Sequence, residues 1–457
     1  MPDYTLSSRT LPLDDSWDVI VAGGGPAGVT AATSAAREGA KTLVIETAGA
    51  LGGMGTLGLV PWFCGYHDGR QIIARGLAER VRLTLRDNMP HYAEKEKENP
   101  ITDPPIDPEL LKATYDSMVT GAGARVLFHG RLCAVEKSAE REVETLIVAT
   151  KDGLRAYRAK VYVDCTGDGD LATWAGAEVE KGDENGGLQP ATHCFVITNV
   201  DEERYAQGPK IHFYDPDSPI HKAVRSEKYP DIVELHTCNR KLGPGTFGFN
   251  TGHVFDIDNT NPESVTAGLL HGRKMARQYR DAFAEYHPAF KDSFLVSTGA
   301  LLGVRETRRI MGDYYLTTDD YMARRSFPDE ICRNAYNLDI HGSKERTLEM
   351  ATKSIEELKE INRKYIRSYN PGESFGVPYR CLTPKALDNV LVAGRCISSD
   401  RRVNGSVRIM ACALNTGEAA GAAAAMAVKG GIDVHSVDTD ALRARLKELG
   451  AYLPDAE

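Results

Sequence analysis

Apolar residues run almost unbroken through "WDVIVAG", which ends at Gly23. A glycine-rich turn follows, then the small-residue stretch "GVTAATSAAREG" closed by Gly39, then the apolar run "KTLVIE" closing on Glu46. The two apolar runs predict buried strands and the stretch between them a helix, together a right-handed βαβ unit of a parallel sheet. Further on, "QIIARGLAERVRLTLRDN" and "DPELLKATYDSMVTGAG" carry helical periodicity, and the charge run "EKEKENP" between them predicts a solvated loop. Strands are predicted at "ARVLFHGRLCAVEK", "TLIVATKDG" and "AKVYVDCTG".

The rhythm changes after residue 190. "ATHCFVITNV", "KIHFYD" and "GTFGFNTGHVFDID" alternate apolar and polar positions, as half-buried antiparallel strands do, and a long helix is predicted from Pro262 to about Tyr286. The α/β pattern returns with the strand "NVLVAGRC" and an alanine-rich helix in "SVRIMACALNTGEAAGAAAAMAV". The expected architecture is α/β: a Rossmann-like domain, parallel sheet with helices, from residues 1–190 and 376–457, with an inserted α+β substrate domain of antiparallel sheet at 191–375.

Composition alters this picture little. The 457 residues, 42% hydrophobic and 26% charged, suit a globular protein of two packed domains, and a net charge of -9 gives no reason to expect nucleic acid or an anionic membrane as partner. Nine scattered cysteines without a C-x-x-C pair point to reduced thiols, no metal and a cytoplasmic setting. Acids near the N-terminus stand where an export signal carries an apolar core. The alanine-rich segment has the length of a membrane span, but Arg408, Asn415 and Glu418 make a buried helix the expectation.

Gly23, Gly25 and Gly28 have G-x-G-x-x-G spacing at the strand-to-helix turn. There the first permits the turn, the second lets the backbone approach a pyrophosphate, and the third brings helix close to strand. Free amides of the helix N-terminus face the phosphates, and Glu46 stands at the distance of an acid that accepts a ribose hydroxyl. The constellation predicts a bound dinucleotide, NAD or FAD.

Two later stretches, "VDCTGDGDLATWAG" and "LDNVLVAGRCISSDRRVNGSVRIMACALNTGEAAG", decide between them. With the opening motif they make the chain resemble FAD-dependent oxidoreductases of the two-dinucleotide-binding-domains flavoprotein class, akin to fumarate reductase flavoproteins and to relatives of the flavin-bearing chain of heterodisulfide reductase. The resemblance extends over nearly the whole chain, through "LGGMGT", "DPELLK", "LQPAT", "LLGVRETRRIMGDYYLT", "LDIH" and "VPYRCLTPKALDNVLVAGRCIS". It implies FAD as cofactor, with Gly23, Gly25, Pro26, Ala27 and Gly28 at the pyrophosphate and Glu46 on the adenosine ribose. It implies further that Gly53 and Met54 pass the flavin, that Leu132 holds adenine by its backbone, and that Gly167 and Asp168 lie beside the cofactor. Gly394 and Arg395 would stand near the pyrophosphate and ribityl chain, and Arg408 and Ile409 near the flavin ring. The wider class has aspartate after the glycine of the last strand where this chain has Arg395, so the ribityl contact must differ. The N-terminus of the alanine-rich helix, after Ser406, would point at the pyrimidine edge of the flavin, its partial positive charge favouring the reduced anion.

A flavin supplies redox chemistry and leaves the protein to orient substrate and move protons. Among Arg305, Arg308 and Arg309, one can bind a substrate carboxylate or hydroxyl; alternatively all three pair with Glu306 and Asp313 and staple the domains. His341, in the family motif "LDIH", is a candidate base for a hydroxyl or amine proton. Tyr379 and Arg380, in "VPYRCL", lead back to the flavin domain and are expected to line the pocket; His193 and His67 are further candidates, and His67 or Cys64 is a candidate covalent tether of FAD. Three functions remain open: hydride transfer between flavin N5 and a small polar, hydroxylated or carbohydrate-like substrate; fumarate-reductase-like reduction of an activated double bond with Arg305 as proton donor; and a flavin-holding component of an electron-transfer complex. The expected partners are a small-molecule substrate, an external electron acceptor or donor and a second copy in a homo-oligomer.

Overall fold

A computed structural model describes residues 4, 5, 7–365 and 369–454; parts of the N-terminal stretch, three residues late in the predicted inserted domain and the last three of the chain lie outside them. Strand β1 (Leu13–Ala22), helix α1 (Pro26–Arg37) and strand β2 (Thr42–Glu46) form the βαβ unit. β1 and β2 pair in parallel, Val19 opposite Thr42 and Ala22 opposite Ile45. Both are continuous apolar runs because the sheet is covered on both faces: Val19, Ile20, Val21 and Val44 are fully buried.

Strand β3 (Arg125–Phe128) lies parallel to β2 on one side, and the long strand running from Gly153 to Asp164 lies parallel to β1 on the other. Two intervening strands, β4 (Arg131–Ala139) and β5 (Glu142–Thr150), pair antiparallel with each other, and β5 pairs antiparallel with the first half of the long strand, which is β6 (Gly153–Asp164). The second half of β6 pairs in parallel with Val390–Val392, so the C-terminal segment completes the sheet that the N-terminal segment began. The strand ends at Ala22, Glu46, Asp164 and Val392 thereby converge on one edge of the sheet, where a ligand of such a fold binds.

The alanine-rich helix packs against α1 at backbone contact. A Cβ on Gly417 would stand 2.1 Å from the Ala27 carbonyl oxygen, and one on Gly421 2.1 Å from that of Ala31. The two glycines lie one turn apart on one face, and Thr30 Oγ1 closes the contact by donating to Leu414 O at 2.6 Å. The helix does not begin after Ser406. A short helix, Arg401–Val407, comes first; Ile409 is extended, and the long helix runs Met410–Gly430. The break arises because Ser406 and Arg408 bind the segment beside them, through Tyr336 O at 2.6 Å and Asp339 O at 3.0 Å.

The inserted unit is a four-stranded antiparallel sheet in the order Asn239–Gly243, Thr246–Phe249, Phe195–Thr198, Phe294–Thr298, covered by the long helix Pro262–Tyr286. Its apolar core gathers residues from Ala191 to Val304 together with Leu358. Residues from Ile310 to Leu338 and Phe375 pack into the core of the first domain instead, which divides the 191–375 segment between the two cores.

Two local expectations are corrected. "KIHFYD" is a series of turns and not a strand: Asp215 accepts from the Lys210 amide at 2.7 Å, and the rings of His212, Phe213 and Tyr214 pack on one another. The charge run is a helix, Pro90–Glu98, because Pro90 opens it, Tyr92 is buried and Glu96 pairs with the buried guanidinium of Arg82. No helix among the described residues is long and apolar enough to cross a membrane.

Candidate active site

The three motif glycines meet different surroundings. A Cβ on Gly23, at φ +94°, would stand 2.5 Å from Cys165 O, and one on Gly28 would stand 1.8 Å from Gly23 O, so both positions are filled by backbone. Around Gly25 nothing lies within 4 Å of the same point. That open space, at the N-terminus of α1 where no side chain caps the helix, is what a pyrophosphate needs for close backbone approach. Pro26 occupies the first helical turn, and Ala27 approaches Gly394, whose Cβ would meet that of Ala27 at 3.0 Å.

The rest of the cofactor set gathers around this point. Glu46 Oε2 accepts from the Gly24 amide and Oε1 from the Ala48 amide, both at 2.7 Å, which fixes the carboxylate and leaves each oxygen a lone pair for a hydroxyl. The loop of Gly53 and Met54 folds over the cradle: the Gly52 amide donates to Gly24 O at 2.7 Å, and a Cβ on Gly53 would stand 3.2 Å from Gly25 Cα. Leu132 lies on β4 two residues after Gly130, whose amide donates to Glu46 O at 3.0 Å. Arg395 spends its guanidinium on protein partners. Its Nε donates to Gly167 O at 2.9 Å, its Nη2 to Asp168 Oδ1 at 2.6 Å and its Nη1 to Val304 O at 2.5 Å. Asp168 also accepts from Asn259 and Thr307, so Arg395 and Asp168 together tie the cofactor domain to the middle and the end of the inserted unit.

At the border of the two units lies a chain of ionisable side chains. Arg408 Nη2 donates to Asp339 Oδ2 at 2.9 Å; Asp339 Oδ2 lies 3.3 Å from His341 Nε2; His341 Nδ1 lies 2.8 Å from His253 Nε2. His253 Nδ1 in turn stands 2.7 Å from Glu234 Oε2, an ion-pair contact too bent for a good hydrogen bond, while its backbone amide donates to Oε1 of the same carboxylate. Burial opposes the charge on Glu234, yet His253 holds this carboxyl down to about 2. Burial likewise opposes the charge on Asp339, but His341, Arg408 and Arg305 hold it well below the carboxylate range. For His341, burial and then Arg305 push the imidazole well below its ordinary value, so it is neutral.

Three further groups face this chain. Arg305 is buried, has no ion-pair partner among the described residues, and donates Nη1 to Pro190 O at 2.6 Å; burial and then Arg408 lower its pKa to about 10. Gln189 receives the His341 amide on Oε1 at 3.1 Å, and its buried Nε2 has no partner among the described residues. His236 stacks on His253 with ring centres 6.0 Å apart and planes within 3°, and meets His341 edge-on at 5.9 Å. The cluster is joined to the cofactor side through Ile409 and Tyr336, both of which pack at Gly65, and through Cys64, whose thiol burial pushes well up.

Other candidates go elsewhere. Arg308 pairs with Asp170, and Arg309 binds Glu180 at 3.2 Å and Gly182 O at 3.1 Å, so these two do staple the fold, although Asp313 is engaged by His435 and Thr383 instead. Glu306 pairs with Arg401 at 2.8 Å. Tyr379 and Arg380 do not line the site: the phenol donates to Val434 O at 2.7 Å and the guanidinium to Asp329 at 2.9 Å. His193 is a core residue, its Nε2 2.7 Å from Gly299 O and its ring against Gly272. His67 lies 4.0 Å from Asp103 and accepts the Gly69 amide on Nδ1.

Glu234, His236, His253 and Asp339 are missing from the sequence-based candidates. A signal was present for three of them: "ELHTC" places Glu234, His236 and Cys238 on one face of an extended segment, and "DIH" does the same for Asp339 and His341. Nothing local joins those two segments to His253.

Over 154 residues the chain is 29% identical to a menaquinone reductase of Mycobacterium tuberculosis (strain ATCC 25618 / H37Rv) and to that of strain CDC 1551 / Oshkosh. The match covers 30% of this chain and 35% of each relative, so the chain spans about a third of their length. Among solved structures it is similar to a geranylgeranyl bacteriochlorophyll reductase-like protein from Thermoplasma acidophilum, at 15% identity and a TM-score of 0.46 over 96% of this chain and 83% of that one. It is similar too to a p-nitrophenol 4-monooxygenase from Pseudomonas putida, at 12% identity and a TM-score of 0.45 over 96% and 87% of the two chains. The family model described as FAD dependent oxidoreductase matches residues 18–446, from the first strand of the cradle to the last helix; the chain belongs to this family of oxidoreductases and FAD is its cofactor.

Proposed function

We propose that this enzyme oxidises the alcohol group of a small, polar, hydroxylated substrate that carries a carboxylate. FAD, when bound, accepts the two electrons and the carbon-bound hydrogen that the alcohol loses. The residues of the chain do the remainder. Arg305 holds the carboxylate, Gln189 Nε2 donates to the substrate, and the imidazoles at the border of the inserted unit take the hydroxyl proton.

The observation that carries this reading is Arg305: a buried guanidinium without a carboxylate partner among the described residues, beside neutral His341. A buried unpaired cation is costly, and an anionic ligand removes the cost. The test is anaerobic mixing of the FAD-loaded enzyme with a panel of hydroxy acids, sugar acids, sugars, alcohols and amines. Bleaching of the oxidised flavin by hydroxylated acids in preference to their uncharged analogues is the expected result. Silence across the panel overturns the reading.

One observation favours a second reading. With its pKa lowered to about 10, Arg305 is a better acid than an ordinary guanidinium and suits proton donation to a double bond being reduced. The menaquinone reductase relatives make quinones a sensible addition to that test. Dithionite-reduced enzyme would then be reoxidised anaerobically by enoates or naphthoquinones and would remain indifferent to hydroxy acids.

A further inference from the structure

The border cluster contains three imidazoles in two different states of engagement. Both ring nitrogens of His341 are committed, Nδ1 to His253 and Nε2 to Asp339; His253 commits Nε2 to His341 and keeps Nδ1 in close contact with the Glu234 carboxylate. His236 has ring contacts but no hydrogen bond among the described residues, and it is exposed. Burial nonetheless lowers its pKa to about 4, with His253 and Arg305 pushing the same way and Glu234 and Asp339 opposing. The ring thus keeps an accessible edge while the protein around it strips much of its hydration.

The His253–His341 pair is held from both ends, by Glu234 and Asp339, and neither ring presents an open nitrogen to a substrate among the described residues.

We propose that His236 receives the hydroxyl proton of the substrate, and that the His253–His341 pair is a positioning unit that holds the His236 ring between their two faces. The inference rests on the alcohol-oxidation reading. The substrate carbon becomes a carbonyl carbon, losing two electrons and a hydrogen to FAD, and the O–H proton goes to the free nitrogen of His236. His341 can take it only by giving up Asp339 or His253. A substrate carboxylate at Arg305 offsets the guanidinium that faces His236, so the ring becomes a stronger base when the substrate arrives. Glu234, Asp339, His253, His341 and Arg305 are the charged and titratable groups that set this balance.

Two measurements on the FAD-loaded full chain test the inference. Diethylpyrocarbonate acylates neutral imidazoles with a free nitrogen; with peptide mapping, His236 is expected to be modified while His253 and His341 are spared. Modification of His341 with His236 untouched overturns the proposal. In His236→Gln, flavin absorbance is expected to be retained, and kcat with a hydroxy acid that bleaches the wild type to fall about 100-fold or more with KM little changed. Turnover at the wild-type rate in that variant overturns the role of His236 and leaves the alcohol-oxidation reading standing. A panel that fails to bleach the wild type overturns that reading, and the labelling result still decides whether His236 is the free base.

Discussion

The cradle and the border cluster are built on opposite plans. The cradle is backbone: glycines pressed against carbonyl oxygens, a carboxylate held by two amides, and open space at one residue, Gly25. Most of it comes from neighbours in sequence, between Val21 and Gly53, with Cys165 and Gly394 closing in from later strands, and its shape depends on what side chains do not occupy. The cluster is side chain throughout: Gln189, Glu234, His236, His253, Arg305, Asp339, His341 and Arg408 come from distant segments, and its properties depend on desolvation and mutual charge. A backbone cradle can recur unchanged wherever a dinucleotide is bound. A desolvated cluster is specific to one chemistry, since each member alters the proton affinity of the others.

The largest effect that separates the two regions is expected in the cradle. Gly28→Ala drives a methyl into Gly23 O and should abolish FAD retention and lower the melting temperature of the chain with or without cofactor, by overpacking that exceeds about 3 kcal/mol. Gly25→Ala sharpens the contrast: it should leave the melting temperature of the FAD-free chain unchanged and weaken FAD binding about tenfold or more, measured by flavin fluorescence titration. An equal loss of stability in both variants would contradict the open space at Gly25.

In the cluster the order is reversed, with function lost and fold kept. Arg305→Gln should leave flavin absorbance intact and raise KM for a carboxylate-bearing substrate about 10- to 100-fold, the worth of about 1.5–3 kcal/mol of charge-assisted hydrogen bonding, with little change for an uncharged analogue.

The cluster should also show in the pH dependence of stability. His236 and His341 have depressed pKa values, so above their ordinary value of about 6.5 they are neutral folded and unfolded and contribute nothing. As pH falls below that value the unfolded chain binds protons that the folded site refuses, and stability declines toward about 4, the value of His236. Glu234 and Asp339, also depressed, add to the loss once pH falls through the ordinary carboxylate range. Urea midpoints should therefore fall steadily on the acid side, and His236→Gln should flatten that fall between about pH 6.5 and 4.

The smallest effect lies outside both regions. Tyr379→Phe removes the hydrogen bond to Val434 O and should cost about 1 kcal/mol in urea unfolding while leaving FAD binding and turnover alone.

The cradle was legible because its signals are local. Strand, turn, helix and acid occur in order, and steric need at Gly23 and Gly28 follows from their place in the turn. The charge run of residues 94–100 misled because solvation of charges says nothing about the buried tyrosine two residues earlier. "KIHFYD" misled because alternation does not reveal that Asp215 turns the chain back on Lys210.

The sequence by itself determined the parallel sheet and the position of a dinucleotide cradle, since both rest on backbone preference and spacing over a few tens of residues; the choice of FAD came from the resemblance that the later stretches carry. Only the tertiary structure decided which ionisable side chains meet. It brought Glu234 and His253 to His341 and Asp339, bound Arg395 to Gly167 and Asp168, sent Arg308 and Arg309 to structural pairs, and left Arg305 without one among the described residues. Proton affinity is set by which charges are near and how far water is excluded, and neither is fixed until distant segments meet.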